Sequence, residues 1–317
     1  MTARLPLSTH VTDEPVAFAR KGDHGDQVVS GLGVLSVHLE GGRCRVGCEF
    51  CYLGGRTEEV TVGNELQHAL RPEVLQAIEA HVACLSFDEL AVAVNEPAGA
   101  ALPVVRLLGT AAHRRGRPFA ITTTSAVAAA HPELLDEADR VNLSVDPRKG
   151  KAAVSPDRIE ELASSLKARR SPAQGPLDVV LIASLITPEF AGRLLDEGLL
   201  AQLVELPSVD KVALNALKPP PPWCDRAFWL RALGRIQPLL ANHLDRKLFL
   251  DCYVAARILG IGPCPARPDL TPAVGGGLAF RACVYQPTLD FISHDAAETQ
   301  KRLAQFVAPA TCPFPVV

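Results

Sequence analysis

The amino-acid sequence predicts an α/β protein. Its core is a partial (β/α)6 TIM-like barrel with parallel strands, and a small α+β extension follows at the C-terminal end. Apolar strand-like runs alternate with segments of helical spacing between residues 33 and 218. Such alternation implies right-handed crossovers and a parallel sheet. Several of the strand-like runs are also continuously apolar, as expected of strands that are covered on both faces.

Each predicted strand is assigned from its apolar, β-prone composition, and each predicted helix from spacing that puts apolar residues on one face. The predicted strands are residues 33–39, 89–94, 119–124, 140–146, 177–183 and 211–217. The predicted helices between them are residues 72–82, 102–113, 132–138, 156–169 and 188–203. In the first of these helices Val74, Ile78 and Val82 recur at helical spacing.

A run of four prolines at residues 219–222 ends the sixth unit. Proline runs favour extended geometry and act as stiff spacers. We therefore divide the chain into an N-terminal extension (1–32), a barrel core (33–218) and a C-terminal extension (219–317). The elements expected in the C-terminal extension are a helix at 226–244, strands at 247–254 and 279–285, and a tail helix at 296–306.

Composition restricts the class of protein. The chain has 317 residues, of which 48% are hydrophobic, enough to bury a large core. Its formal net charge of −3 gives no indication of a nucleic-acid-binding surface. We see neither the apolar segment of a signal peptide nor a long uncharged apolar stretch, so we expect a cytoplasmic protein without a membrane partner. In that reducing compartment, nine cysteines indicate metal or catalytic use rather than disulfides.

Three of these cysteines lie in the short segment RCRVGCEFCY, directly after the first predicted strand: Cys44, Cys48 and Cys51. A structural zinc site usually takes four protein ligands from two separated pairs, and no second pair follows soon. A cubane iron–sulfur cluster fits better, because each thiolate binds a different iron and one iron stays open for a substrate or cofactor. Zinc is the alternative.

The loop resembles the signature of the radical S-adenosylmethionine (SAM) superfamily. Three residues separate Cys44 from Cys48, two separate Cys48 from Cys51, and the aromatic Phe50 precedes the last cysteine. The position of the loop after the first strand of a six-unit alternation strengthens the resemblance. The resemblance implies a [4Fe-4S] cluster on the three cysteines that binds SAM. Reduction by a partner such as flavodoxin or ferredoxin would release a 5′-deoxyadenosyl radical, which abstracts hydrogen from an organic or peptide substrate.

The same resemblance implies SAM contacts around the first two strands. The family's Gly-Gly-Glu-like stretch after the second strand reads Asn95-Glu96-Pro97 here, so that Asn95 stands in a glycine position. Glu96 is then the acceptor for the SAM ammonium group; the alternative is a surface loop acid. Phe50 and Tyr52 flank Cys51, and by resemblance the residue after the last cysteine borders the adenine.

Further contacts are implied at the ends of the third and fourth strands. Ser144 and Asp146 resemble the polar positions that contact the ribose or the carboxylate, for which hydroxyl and carboxylate groups are suited. The alternative for Asp146 is an ordinary Asp-Pro turn. Thr124 adds a polar contact on the third strand, although threonine is also simply a good strand residue.

The C-terminal extension contains a second group of cysteines: Cys252, Cys264, Cys283 and Cys312. The segment from Cys264 to Cys283 resembles the start of an auxiliary iron–sulfur domain that many radical SAM enzymes carry after the sixth unit. However, Gly277 is displaced relative to Cys283, and the rest of the pattern is absent. The alternatives are therefore an auxiliary cluster or a remnant domain that covers the barrel mouth. The isolated Cys84 and Cys224 are expected to be buried or half-buried thiols.

Three functions follow from these observations. The first is a radical SAM enzyme that abstracts hydrogen from an organic or peptide substrate whose identity the sequence does not show. The second is methyl or sulfur transfer within the same superfamily, using an auxiliary cluster. The third is a binding module that zinc or a cluster stabilises without catalysis.

Overall fold

The computed structural model describes residues 32–39, 71–94, 98–217, 220–243, 247–251, 254, 269–272, 278–281 and 291–304. The strands in these ranges are β1 (Leu32–Leu39), β2 (Phe87–Val94), β3 (Phe119–Thr124), β4 (Arg140–Val145), β5 (Asp178–Leu185), β6 (Lys211–Ala216), β7 (Leu248–Leu250), β8 (Asp269–Pro272), β9 (Leu278–Arg281) and β10 (Phe291–Ser293). The α-helices in the same ranges are α1 (Pro72–Cys84), α2 (Ala98–Arg114), α3 (Ser125–Ala130), α4 (Pro156–Ala168), α5 (Pro188–Leu195), α6 (Leu199–Glu205), α7 (Arg226–His243) and α8 (Ala296–Ala304).

These strands form one sheet in the order β10-β9-β8-β1-β2-β3-β4-β5-β6-β7. Strands β1 to β7 follow chain order and are parallel, and with their helices they form a curled half-barrel. This confirms the predicted α/β fold of the partial barrel type. Strand β8 lies parallel along the other side of β1, and β9 and β10 continue antiparallel beyond it.

The strand predicted after the proline run is β7, and it joins the core sheet. Val212 of β6 pairs with Leu248 of β7, so the parallel sheet continues past the six predicted units. Because β8 joins the sheet beside β1, described strands of the C-terminal extension add to both sides of the core sheet.

Two helix predictions differ from the structure. The helix predicted over residues 188–203 is divided into α5 and α6, because Gly198 adopts a left-handed conformation with φ of 77°. The helix predicted over residues 132–138 is a short 3-10 helix, Pro132–Leu135. The helical segment before it, α3, has only six residues, too few for a periodic apolar pattern to predict it.

The two faces of the half-barrel sheet differ in burial. Side chains alternate along a strand, and on β4 Val141, Leu143 and Val145 are buried in the hydrophobic core with the helices. Asn142 and Ser144 between them are half-buried on the opposite side. We call that side of the sheet the inner face. Its half-buried polar residues near the middle and the C-terminal ends of β3 to β6 are Thr122, Thr124, Asn142, Ser144, Ser184 and Asn215.

No helix in the described ranges is both long enough and apolar enough to cross a membrane.

Candidate functional site

The C-terminal ends of the parallel strands place the predicted cofactor positions along one edge of the sheet. Strand β1 is in register with β2 as far as Leu39 opposite Val94. Strand β3 is in register with β4 as far as Thr124 opposite Ser144. Because ligands of parallel α/β sheets bind beyond the carboxyl ends of the strands, this edge is the candidate site.

Several predicted site residues lie outside the described part of the chain. The cysteine loop begins shortly after β1, and Asn95 and Glu96 directly follow β2. The predicted residues outside the described ranges are Cys44, Cys48, Phe50, Cys51, Tyr52, Asn95, Glu96, Cys252, Cys264, Cys283 and Cys312. Their assignments stay predictions.

A buried threonine fixes the end of β2. The pairing of β2 with β3 ends at Ala93 opposite Thr122. At the next position, the Thr123 hydroxyl donates a hydrogen bond to the Val94 carbonyl oxygen at 2.9 Å, and the Thr123 residue is 3% exposed. Thr123 thus holds the backbone of Val94, the last described residue before Asn95 and Glu96 in the sequence.

Thr124 and Ser144 are brought together as register partners on β3 and β4, and both are half-buried. The Thr124 hydroxyl oxygen accepts a hydrogen bond from the Val127 backbone N–H at 3.1 Å and thereby caps helix α3. A hydroxyl that accepts in this way still has its own proton to donate. The edge therefore presents two neighbouring hydroxyl groups, and their contact with SAM stays a prediction.

Asp146 lies just past β4, where it is 5% exposed and engaged by an arginine. Its Oδ1 accepts from the Arg148 backbone N–H at 3.0 Å and from Arg148 Nε at 2.9 Å, while its Oδ2 contacts Arg148 Nη2. Asp146 also begins the 3-10 helix Pro147–Lys149. This is the geometry of the Asp-Pro turn that was the alternative for Asp146. A contact of Asp146 with ribose stays a prediction.

Sequence reasoning did not single out Arg148 or Asn142. The carboxylate of Asp146 holds Arg148 in a two-pronged, charge-assisted contact at the end of β4. Asn142 Nδ2 donates to Thr122 Oγ1 at 3.0 Å across β3 and β4. The sequence signal that could have identified Asn142 was a polar residue at every second position of an otherwise apolar strand, as in RVNLSV.

Charged side chains occupy the opposite, N-terminal end of the inner face; we call them the floor. The floor consists of Glu89, Arg140, Asp178 and Lys211. Arg140 Nη2 contacts Glu89 Oε1, and Lys211 Nζ lies 3.9 Å from Asp178 Oδ2. Each cation thus faces an anion, so the charges of the floor compensate one another.

The described residues contain no group of three or more His, Cys, Asp or Glu side chains placed to hold a metal ion. Cys224 is fully buried, as expected, and burial together with the nearby Asp225 carboxylate raises the pKa of its thiol to about 12. The expectation for Cys84 is wrong, because this thiol is exposed. Cys84 is the last residue of α1, beyond the buried stripe of that helix that Val74, Ile78 and Val82 form.

One solved structure with a similar fold is "Native anSMEcpe with bound AdoMet", where AdoMet is S-adenosylmethionine. The TM-score is 0.52 at 11% sequence identity, and the alignment covers 86% of this chain and 80% of that chain. No protein-family model and no curated protein matches the sequence. At this identity the likeness is one of fold, and the fold is shared with a protein that binds AdoMet.

Proposed function

We propose that the protein is a radical SAM enzyme whose loop cysteines Cys44, Cys48 and Cys51 hold a [4Fe-4S] cluster. One observation carries this proposal: in the sequence the three-cysteine segment follows shortly after β1, a strand of a parallel half-barrel whose fold is shared with an AdoMet-bound protein. Three thiolates from one loop are a donor set suited to a cubane cluster with one open iron. The cluster on these cysteines would supply the electron for reductive cleavage of SAM, and the resulting 5′-deoxyadenosyl radical would abstract hydrogen from an organic or peptide substrate.

The residues of the chain have distinct tasks in this proposal. Glu96, placed two residues past the end of β2, accepts the SAM ammonium group. The Thr124 and Ser144 hydroxyls, side by side on β3 and β4, bind the polar groups of SAM. Asn95, Phe50 and Tyr52 complete the surroundings of SAM. The radical step needs a site from which water is excluded.

The electron comes from a reducing partner of the flavodoxin or ferredoxin type. Whether the C-terminal cysteines hold an auxiliary cluster is a separate question that the same measurement answers. Cys252, Cys264, Cys283 and Cys312 would provide its ligands.

Metal content after anaerobic reconstitution tests the proposal directly. Iron, labile sulfide and zinc are measured on the wild type, on a Cys44→Ala/Cys48→Ala/Cys51→Ala triple variant and on Cys84→Ala as the control for loss of one exposed thiol. We expect about four irons per chain in the wild type and in the control, and none in the triple variant. About eight irons, of which four survive in the triple variant, would add an auxiliary cluster.

The same samples are incubated with SAM and dithionite, and 5′-deoxyadenosine is quantified. We expect it from the wild type and from Cys84→Ala, but not from the triple variant. One zinc and no iron in the wild type, or 5′-deoxyadenosine from the triple variant, would overturn the proposal. Glu96→Gln should keep the cluster and weaken SAM binding.

A further inference from the structure

Two polar side chains meet at the centre of the inner face, below the candidate SAM site. Thr122 of β3 and Asn142 of β4 are register partners, and Asn142 Nδ2 donates to Thr122 Oγ1 at 3.0 Å. Both residues are half-buried. They lie two residues, or about 7 Å along the strands, below Thr124 and Ser144 at the edge. The pair therefore faces the interior of the half-barrel beneath the proposed cofactor.

The pair keeps hydrogen-bonding capacity after its mutual bond is made. An asparagine amide has two N–H donors and one carbonyl acceptor, and a threonine hydroxyl both donates and accepts. The bond between them uses one N–H of Asn142 and one lone pair of Thr122. Among the described residues, no partner is found for Asn142 Oδ1, for the second Nδ2–H or for the Thr122 O–H. None of these atoms is among the described buried side-chain atoms without a hydrogen-bond partner, so the groups are open to water or to a ligand.

The surroundings of the pair are small and uncharged. In the same row of the sheet, Ala93 precedes Thr122 and Val180 follows Asn142. Among the described residues the nearest charges are those of the floor, where Arg140 pairs with Glu89 and Lys211 faces Asp178. The two register neighbours carry no polar side-chain group, and the compensated charges of the floor give no preference for an ionic ligand. The group that binds here is therefore neutral and polar.

A neutral group that offers one donor and one acceptor side by side is a primary carboxamide or a lactam, because the trans peptide unit points its N–H and C=O in opposite directions. Its carbonyl oxygen accepts from Asn142 Nδ2 or from the Thr122 hydroxyl, while its N–H donates to Asn142 Oδ1. Asparagine makes this paired contact with adenine, where a donor and an acceptor are also adjacent. A carboxylate lacks the donor, and an ester lacks it as well.

We propose that Thr122 and Asn142 form a subsite that binds an amide group of the substrate, and that the substrate is consequently a neutral, amide-bearing molecule. This rests on the proposed function, since it places the substrate between the pair and the cofactor. The subsite would hold the amide deep in the half-barrel and direct the rest of the molecule toward the edge where the radical forms. Thr122 and Asn142 would thus determine specificity without taking part in SAM cleavage.

Binding of matched small probes to the full-length, reconstituted protein with SAM tests the subsite. The probes are benzamide, methyl benzoate and benzoate, which offer donor plus acceptor, acceptor alone, and an anion. Dissociation constants are measured by ligand-observed NMR titration. For the wild type we expect benzamide to bind at least tenfold more tightly than either of the other two.

Each variant removes or replaces the hydrogen-bonding group of one residue of the pair. Asn142→Ala and Thr122→Val should each weaken benzamide binding about tenfold, and Thr122→Ser, which keeps the hydroxyl, should restore it. Asn142→Asp replaces the amide with two acceptors and should abolish the preference for benzamide. Asn215→Ala, the same residue type on β6 of the inner face, is the control and should bind benzamide like the wild type.

Iron content and SAM affinity are measured on every variant and should match the wild type, whereas loss of the Asn142–Thr122 hydrogen bond should lower the melting temperature by a few degrees. The subsite is overturned if wild-type protein shows no preference for benzamide, or if Asn142→Ala and Thr122→Val bind it unchanged. Should Asn142→Ala fail to fold, the nearly isosteric Thr122→Val decides. A wild type without iron or without SAM cleavage would instead refute the proposed function, so that the two failures are distinguishable.

Discussion

His81 Nε2 lies 2.8 Å from Thr299 Oγ1, and both residues are completely buried. This contact joins α1, the first helix of the described barrel core, to α8, near the C-terminal end of the chain. His81 Nδ1 donates to the Ala77 carbonyl oxygen at 2.7 Å. The Thr299 hydroxyl also lies 3.1 Å from the Asp295 carbonyl oxygen as a donor, so its single proton serves either that oxygen or His81 Nε2. Burial of the imidazole is what favours its uncharged form.

The free energy of unfolding should consequently fall when the pH drops below the ordinary pKa of histidine. Burial lowers the pKa of His81 below its usual 6.5, against the Ala77 hydrogen bond and the Asp295 carboxylate, which raise it. At a pH between the usual pKa and the lowered pKa, His81 is protonated in the unfolded chain but not in the folded chain. The contribution of neutral His81 to stability is therefore present above pH 6.5 and is lost as the pH falls toward the lowered pKa. The slope is at most about 1.4 kcal/mol per pH unit.

Urea unfolding at several pH values between neutral and acidic tests this expectation on the wild type and on His81→Gln. The variant lacks the titrating group, so its free energy of unfolding should approach that of the wild type as the pH falls. A difference between the two proteins that does not change with pH would contradict the assignment.

A side chain at Gly198, between α5 and α6, should destabilise the protein. Its φ of 77° is a left-handed conformation that costs other residues about 1–2 kcal/mol, although space is open around its Cβ position. Gly198→Ala should therefore lower the free energy of unfolding by about 1 kcal/mol. Gly192→Ala is the matched control, since Gly192 lies within helix α5 and also has open space, and it should raise stability by about 0.5–1 kcal/mol. Equal effects of both changes would show that backbone conformation does not matter here.

Removal of the Thr123 hydroxyl should weaken SAM binding without direct contact. Thr123→Val leaves the Val94 carbonyl oxygen without this donor and should cost about 1 kcal/mol of stability. Because Val94 leads into Asn95 and Glu96, we also expect a weaker SAM affinity with unchanged iron content. Thr123→Ser keeps the hydroxyl and should retain both properties. Unchanged SAM affinity in Thr123→Val would show that the position of the end of β2 does not affect SAM binding.

Asp146 should act on the site through Arg148. If so, Asp146→Asn and Arg148→Gln each weaken SAM binding. The double variant should then bind SAM no more weakly than the single variant with the lower SAM affinity. Isothermal titration calorimetry with SAM on the wild type and the three variants provides this double-mutant cycle. Additive losses would instead indicate a separate contact of Asp146 with SAM, as the resemblance implies.

The two cysteines described in the structure should differ in reactivity. The thiolate is the reactive form, and a pKa of about 12 leaves almost none of it at Cys224. Iodoacetamide treatment of the folded protein at pH 8, followed by peptide mass spectrometry, should modify the exposed Cys84 and spare the buried Cys224. Both thiols should react after denaturation in urea, which is the control. Modification of Cys224 in the folded protein would contradict its burial.

The sequence predicted the strands of the core well because their apolar runs are local signals. Strand β3 has the predicted bounds, and β4 and β6 end one residue earlier than predicted. Strand β7 shows the limit of this reasoning. The strand itself was predicted over residues 247–254, but its place beside β6 was not, because pairing between Val212 and Leu248 leaves no trace in local composition.

The site was predicted less completely because its geometry depends on contacts between neighbouring side chains. Thr124 and Ser144 were identified from their positions at strand ends, and the parallel register brings them together. The engagement of Asp146 by Arg148 depends on the turn that follows β4, and the Thr122–Asn142 bond depends on register across two strands. Periodicity indicates which face a residue occupies, but it does not indicate the partner.

The order of the strands also bears on how the protein is synthesised. Strand β1 is covered on one side by β2, which leaves the ribosome soon after it, and on the other side by β8, which is made much later. A nascent chain that ends before residue 269 therefore carries a parallel strand with one unpaired edge, directly ahead of the cysteine loop. Unpaired strand edges promote aggregation, and long-range parallel pairing is slow. Production of this protein should accordingly benefit from chaperones and from slow translation, and truncation before β8 should yield insoluble chains.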